Sequence, residues 1–366
     1  MFDVNVYKLP MAHPGDVSEL ERMINQGEII PEEIAAIIAQ TEGDGHDRGY
    51  ATLAFQVLLS EKLGITRQEV FDRIPMLMIG LTGGLMSPHY TVFTKKVLAE
   101  KGDNTKKCFA LGITNTPVLK PEEYGTLEQV RLVAEAVKEA IQDAGIDNVE
   151  DVHCVEVKLP AMTAARVNDA KNRGQAVVSE DLGKASSLAK GAAALGVAVA
   201  LGEVDFAALK QEDICSNWGF YSNKASTSAG GEQVACRIVL MGNSSKSNSK
   251  YYVGSGVMKD QLDVEGAKDA LRSAGLKFDC MPSKEEAQRV VNIFVNAGAD
   301  SVGAVRGRRN TIKTDFLAGY SGIMAKAVAN AVVASLIGDP MILASAGAEH
   351  QGPLGANLLA VIVKAE

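Results

Sequence analysis

Aromatic residues are scarce in this 366-residue chain, at 5% with a single tryptophan, so its cores must be built mainly from Ala, Val, Ile and Leu. Cysteines are few and odd in number. Cys108, Cys154, Cys215, Cys236 and Cys280 show no CxxC spacing, which leaves no readable disulfide framework or zinc knot and is simplest in a reducing cytosol. Cys154 and Cys236 fall in predicted strands and read as core residues, against a cysteine hydrolase. Positive charge is also short. A net charge of -8 and a pI near 5.3 oppose nucleic-acid binding, which needs a concentrated Lys/Arg face. The one basic cluster, Arg306, Arg308 and Arg309, reads as a solvated turn or an ion-pairing surface. Long apolar runs are missing too: Gly191 to Leu201 is too short for a bilayer, and the run from Ala327 is interrupted at Asp339 and Pro340. Met1 to Pro10 alternates like a strand and lacks the pattern of a secretory leader. A cytoplasmic protein with no membrane or nucleic-acid partner is expected.

What is present is ample core material, with 46% hydrophobic residues, and 35 glycines for tight turns. Two polar, turn-rich segments, Lys101 to Lys107 and Gly242 to Lys250, cut the chain into three similar lengths. They predict repeat domains at 1–103, 108–245 and 251–366, too long for solenoid units. Each piece shows a helix, a short strand ending at a polar position, a long helix, and a second strand running into a Gly-rich turn. In the first piece these are the strand Ile34 to Ala39, the helix Arg48 to Leu63 and the turn Met78 to Gly83. In the second they are Val152 to Val157, Leu188 to Leu201 and the turn Ser226 to Glu232. The third opens a helix with the capping box Ser283 to Glu286, places a long helix at Tyr320 to Ile337, and ends in the turn Ala344 to Glu349. Thr126 to Ala144 reads as a helix with Thr126 and Gln129 as a capping box. The fold class is α/β.

A serine between a strand and an Ala/Gly turn can present its hydroxyl while the following N–H groups face a developing oxyanion. Ser228-Ala-Gly and Ser345-Ala-Gly have that form, although small residues at such places also serve close packing. Each serine needs a base. His13, His89 and His153 sit in poor contexts, and His350, beside a serine turn, is open to catalytic, metal-binding or capping roles. Lys158 follows the strand Val152 to Val157, at the kind of strand end where open α/β sheets build their sites. To act near neutrality its amine must drop roughly 3 pH units from about 10.4, at a cost of roughly 4 kcal/mol, through burial or a neighbouring cation. Lys190 is a candidate for that cation.

Several segments in order, Thr41-Glu-Gly-Asp-Gly45, Leu85-Met-Ser-Pro-His-Tyr90, Val157-Lys-Leu-Pro160, Ala225-Ser-Thr-Ser-Ala-Gly230, Val305-Arg-Gly-Arg-Arg-Asn310 and Gly347-Ala-Glu-His-Gln-Gly-Pro353, resemble the cyanuric acid hydrolase/barbiturase family of ring-opening amidohydrolases, across essentially the whole chain. The resemblance implies three similar αβ domains around a pseudo-threefold axis, each giving a Lys, an Arg or similar group, and a Ser to a central pocket for a flat heterocycle. It implies Ser228 as nucleophile and Lys158 as base, acting through an acyl-enzyme. Gly80, Ala229 and Ala346 line the pocket on this reading, and a homo-oligomer, a tetramer, follows.

The other positions depart from the pattern. Gln40 and Ile79 stand for the first Lys and Ser, while Arg48 keeps the first Arg. Lys190 stands for the second Arg. Asn296 and Ile323 stand for the third Lys and Arg, with Ser345 retained. A threefold-symmetric ring would bury polar edges unpaired against Ile79 and Ile323, at roughly 1 to 3 kcal/mol each. The expected substrate is therefore a small cyclic amide or imide other than cyanuric acid. The alternatives are cyanuric acid or barbiturate hydrolysis proper, or a catalytically silent heterocycle binder. The resemblance also implies a structural cation at the 348–356 loop, but its glutamate position is Gly298. No cofactor or bound metal is expected, although a weak site of loop carbonyls is compatible with the sequence.

Overall fold

The computed structural model describes residues 1–99 and 106–366; most of the first polar segment lies outside the described residues. The amino-terminal domain runs β1 (Phe2–Pro10), α1 (Ser18–Asn25), β2 (Ile34–Gln40), α2 (Gly45–Leu63), α3 (Arg67–Arg73), β3 (Met76–Ile79) and β4 (His89–Val97). The second runs β5 (Cys108–Asn115), α4 (Leu127–Asp143), β6 (Val152–Pro160), α5 (Ala164–Asn172), α6 (Leu182–Ala200), β7 (Ala225–Gly230) and β8 (Arg237–Ser244). The third runs β9 (Tyr251–Met258), α7 (Val264–Ser273), α8 (Lys284–Arg289), β10 (Val290–Ala297), the short hairpin β11 (Ala304–Val305) and β12 (Arg308–Arg309), α9 (Ser321–Ile337), β13 (Leu343–Ala346) and β14 (Asn357–Lys364).

The sheet orders are β1-β4-β2-β3, β5-β8-β6-β7 and β9-β14-β10-β13. With the hairpin set aside, each reads first, last, second, third. Three similar αβ domains thus repeat one topology around a pseudo-threefold axis. In each, the second and third strands pair in parallel, as β2/β3, β6/β7 and β10/β13. Parallel partners need a crossover, and α2, α6 and α9 supply it. The interior between sheets is shared: Phe93 packs against Phe109 at 6.2 Å and Phe294 at 6.4 Å between ring centroids, one ring from each domain.

Several sequence expectations change here. Ser226 to Gly230 and Leu343 to Ala346 are strand, not turn, because parallel pairing carries them past the point where small residues suggest a bend. Helix α6 starts six residues before Leu188, where Asp181 caps it by accepting from Lys184 N. The second polar segment is shorter than its composition implies, since Gly242 to Ser244 complete β8. The Thr126/Gln129 box does not form: Gln129 Oε1 accepts from Gly125 N at 2.7 Å and the Thr126 hydroxyl donates to Glu123 O. Ser283 does cap α8, accepting from Glu286 N at 3.2 Å. Arg306 pairs with Asp260 at 2.8 Å on an exposed hairpin, and Arg308 and Arg309 are exposed beside it.

One helical stretch, Ala318–Ile337, is long and apolar enough to cross a membrane by length and composition. Within this fold its Ala325, Lys326, Ala329, Asn330 and Val333 are buried, and α9 packs on β10 and β13.

Candidate active site

Strand register builds the site. The carboxyl-terminal ends of the three parallel pairs set Gln40 beside Ile79, Lys158 beside Ser228, and Asn296 beside Ser345, each as direct Cα partners. Directly paired residues on parallel strands point to one face. Each crossover helix then brings a cation to the same centre: Arg48 from α2, Lys190 from α6 and Lys326 from α9. These three cations line a cavity of about 330 Å³ together with Ile79, Gly80, Lys158, Ser228, Ala229, Ile323, Ser345 and Ala346.

Arg48 reaches the cavity because the loop before α2 is short and tightly closed. Asp44 caps the helix and Asp47 returns a hydrogen bond to it, a capping box that sets Arg48 in the first turn. Gly80 is required beside it, since a Cβ there would lie 2.8 Å from both Arg48 Nη1 and the Gly43 carbonyl.

Lys158 is 1% exposed, and its amine donates to the Met78 carbonyl at 2.9 Å, across the boundary with the first domain. Burial lowers its pKa to about 8; Glu232 and Glu156 oppose this and Arg48 reinforces it. The cation that helps depress it is therefore Arg48. Lys190 lines the cavity while paired with Glu349 at 2.6 Å. Burial pushes the Glu349 carboxyl upward, but Lys190 and hydrogen bonds outweigh it and hold the group below the usual range. Among the described residues the Ser228 hydroxyl has no hydrogen-bond partner, so it is available to a ligand.

Lys326 is the buried cavity-lining amine that motif reading missed. It lies one turn beyond Ile323 on the same face of α9, is 3% exposed, and donates to the Gly80 carbonyl at 2.8 Å. Burial, aided by Arg48, lowers its pKa to about 7. It, and not Ile323, fills the third helix-cation position. The available clue was that α9 is otherwise free of charge. Ile323 still lines the cavity, so with Ile79 and Leu81 it forms an apolar wall.

Gln40 and Asn296 stand at the right strand ends but outside the cavity. The Gln40 carboxamide accepts from Ala344 N at 2.8 Å and donates to Thr82 at 2.8 Å, clamping the first domain to the edge of the third. Asn296 Nδ2 donates to the Gly347 carbonyl at 2.9 Å. Each amide thus bonds backbone that would otherwise be buried unpaired.

His350 is neither base nor ligand. Its Nδ1 bonds the Phe220 carbonyl at 2.6 Å and its Nε2 accepts from Cys215 N at 2.7 Å, and Trp218 lies against the ring. Both nitrogens are used, which fixes one neutral tautomer. The residues at the implied cation site do not fit a hard cation. Gly298 has the Ala356 carbonyl 2.4 Å from where a Cβ would stand, leaving no room for a carboxylate side chain, and Glu349 is held by Lys190. No cluster of three His, Cys, Asp or Glu suited to a metal occurs among the described residues.

A serine beside a buried, pKa-depressed lysine, ringed by basic side chains and backed by an apolar wall, is chemically suited to attack on a small polar ring. The comparisons give the class of enzyme. A family model described as amidohydrolase ring-opening protein matches residues 5–364. A cyclic amide hydrolase of Azorhizobium caulinodans is 44% identical over 99% of this chain and 100% of its own, and a cyanuric acid amidohydrolase of Enterobacter cloacae is 43% identical over 98% of each. A solved cyanuric acid hydrolase, whose fold is ascribed to structural concatenation, superposes with a TM-score of 0.93 at 37% identity over the whole of both chains. The chain belongs to the ring-opening amidohydrolases.

Proposed function

We propose that this protein hydrolyses a small cyclic imide through a Ser228–Lys158 dyad, and that the ring it takes carries one apolar edge. The observation that carries this reading is the register that sets a buried lysine beside Ser228 at the cavity.

The free amine of Lys158 accepts the Ser228 proton as the hydroxyl oxygen bonds to a ring carbonyl carbon. The tetrahedral oxyanion faces the backbone after the nucleophile, at Ala229, where N–H donors act without reorganisation. The ring C–N bond then breaks, and the ammonium of Lys158 returns its proton to the departing nitrogen. That nitrogen stays tethered, so the acyl-enzyme keeps every substrate atom. Water, deprotonated by the again neutral amine, cleaves the ester and restores Ser228. Arg48, Lys190 and Lys326 hold carbonyl oxygens or the ring anion, and Ser345 offers one hydroxyl. The protein acts in the cytoplasm as a homo-oligomer on this reading, without a cofactor.

The wall of Ile79 and Ile323 decides between substrates, because a ring polar on every side would leave groups unpaired there, at roughly 1 to 3 kcal/mol each. Turnover of a panel of cyclic imides, barbiturate and cyanurate tests this. Imides with a hydrocarbon edge should exceed cyanurate in kcat/KM by about tenfold or more, the equivalent of one such penalty. Ile79→Ser should narrow that gap, and efficient use of cyanurate by the unaltered enzyme would refute the assignment.

A further inference from the structure

One rung below the dyad, the same strands carry a second polar pair. Glu156 and Ser226 are direct Cα partners on β6 and β7, two residues before Lys158 and Ser228. Alternation along a strand puts them on the same face as the dyad. Glu156 is 3% exposed and Ser226 5%, and the Ser226 hydroxyl meets no partner at full hydrogen-bond geometry. Both border a separate small cavity with about 10 Å³ of free space, close to the size of one water. Asn296 closes it from β10, with an Oδ1 that is likewise buried and unpartnered.

We infer that Glu156 is a positioning residue for the proposed reaction: its buried carboxyl, set one rung beneath the dyad and bordered by Ser226 and Asn296, tunes the charge state of Lys158. The inference rests on the Ser228–Lys158 reading. A carboxyl group buried this completely has no structural use for its charge among the described ion pairs, yet it lies within Coulombic reach of the one amine the chemistry needs. Burial raises Glu156 to about 7, and Ser226 and Lys158 counter that. Its ionised form in turn raises Lys158.

Glu156 acts on Lys158 after two larger charge effects, from Glu232 and Arg48. On β6, Cys154 and Lys158 face Glu156; Cys154 is itself pushed well up by burial. His153 and Lys224 border the small cavity, while β10 and β14 contribute Phe294, Asn296 and the uncharged stretch 358–360. The charges that shift Lys158 are Glu232 after β7, Arg48 on α2 and Glu156 on its own strand, with Lys190 and Lys326 lining the same cavity. Arg237, its partner on β8, turns to Gln233 and the Phe71 ring.

The sign follows directly. Glu156→Gln removes the negative charge that favours the ammonium, so the Lys158 amine loses its proton at lower pH. The acid limb of the kcat/KM profile should move down by less than about one pH unit, while KM changes by less than about threefold because Glu156 does not line the substrate cavity. Glu156→Asp should restore the profile. Ser226→Ala, a milder change, should move the limb the same way by a smaller amount. The Lys158 amine can also be followed without turnover, by pH-dependent acylation read by peptide mass spectrometry, and Glu156→Gln should shift that titration equally. An unmoved amine titration in both Glu156→Gln and Ser226→Ala overturns the inference. Full activity of Ser228→Ala would instead sink the dyad reading, while a shifted amine titration would still stand.

Discussion

Ser228→Ala lowers kcat by about four orders of magnitude or more, the scale seen when a serine nucleophile is removed from its catalytic unit. The size follows from what the residue does in the proposed path. Without a hydroxyl there is no acyl-enzyme, and direct attack by water on a resonance-stabilised imide must proceed with only the cavity's cations to help. KM should change little, because Arg48, Lys190, Lys326 and Ser345 remain to hold the ring. Binding of a substrate or analogue, measured by calorimetry on the variant, should match the parent enzyme. A silent binder would show the same binding but no turnover in either protein, so the two measurements together separate the readings.

Lys158→Met is the second large effect, with kcat reduced by about 10³-fold or more as general-base and general-acid assistance are both lost. Methionine fills the buried stem without a charge, so the fold should survive; the hydrogen bond to Met78 O is the main structural loss. The pH profile carries the same information. With the amine near 8, about a tenth is neutral at pH 7, so kcat/KM should rise as pH increases and level off above about 8. Lys326, depressed to about 7, is the rival base, and its variant separates the two. Lys326→Met should raise KM while leaving kcat within about tenfold, because its amine bonds Gly80 O on the opposite domain and its place is that of a ring-holding cation.

From the residues alone, Ser228 was one of two serine candidates and Lys158 one candidate base; the resemblance paired them, and the β6/β7 register sets the two positions side by side. Arg48 came from the resemblance as well, and the helix start that Asp44 caps brings it to the cavity. Lys326 was not legible, since choosing it over Ile323 depends on helix phase, and a shift of three residues keeps the same face. Gln40 and Asn296 were placed at the right strand ends, yet where their amides turn depends on partners in other domains, Ala344 N and the chain at Gly347, which no local pattern reveals. The long pairings β1/β4, β5/β8 and β9/β14 were also hidden. Such antiparallel contacts join residues distant in sequence, and alternation signals a strand without naming its neighbour. The second rung, Glu156 with Ser226, became visible only once that neighbour was known.

Because the opened ring stays attached, the intermediate adds the whole mass of the substrate to the enzyme. Rapid-quench mass spectrometry of enzyme mixed with a slow cyclic imide is therefore the most direct measurement. The account predicts an adduct of full substrate mass on the peptide containing Ser228, absent from Ser228→Ala. Turnover with no adduct on any residue, or an adduct on Ser345 in its place, would contradict it.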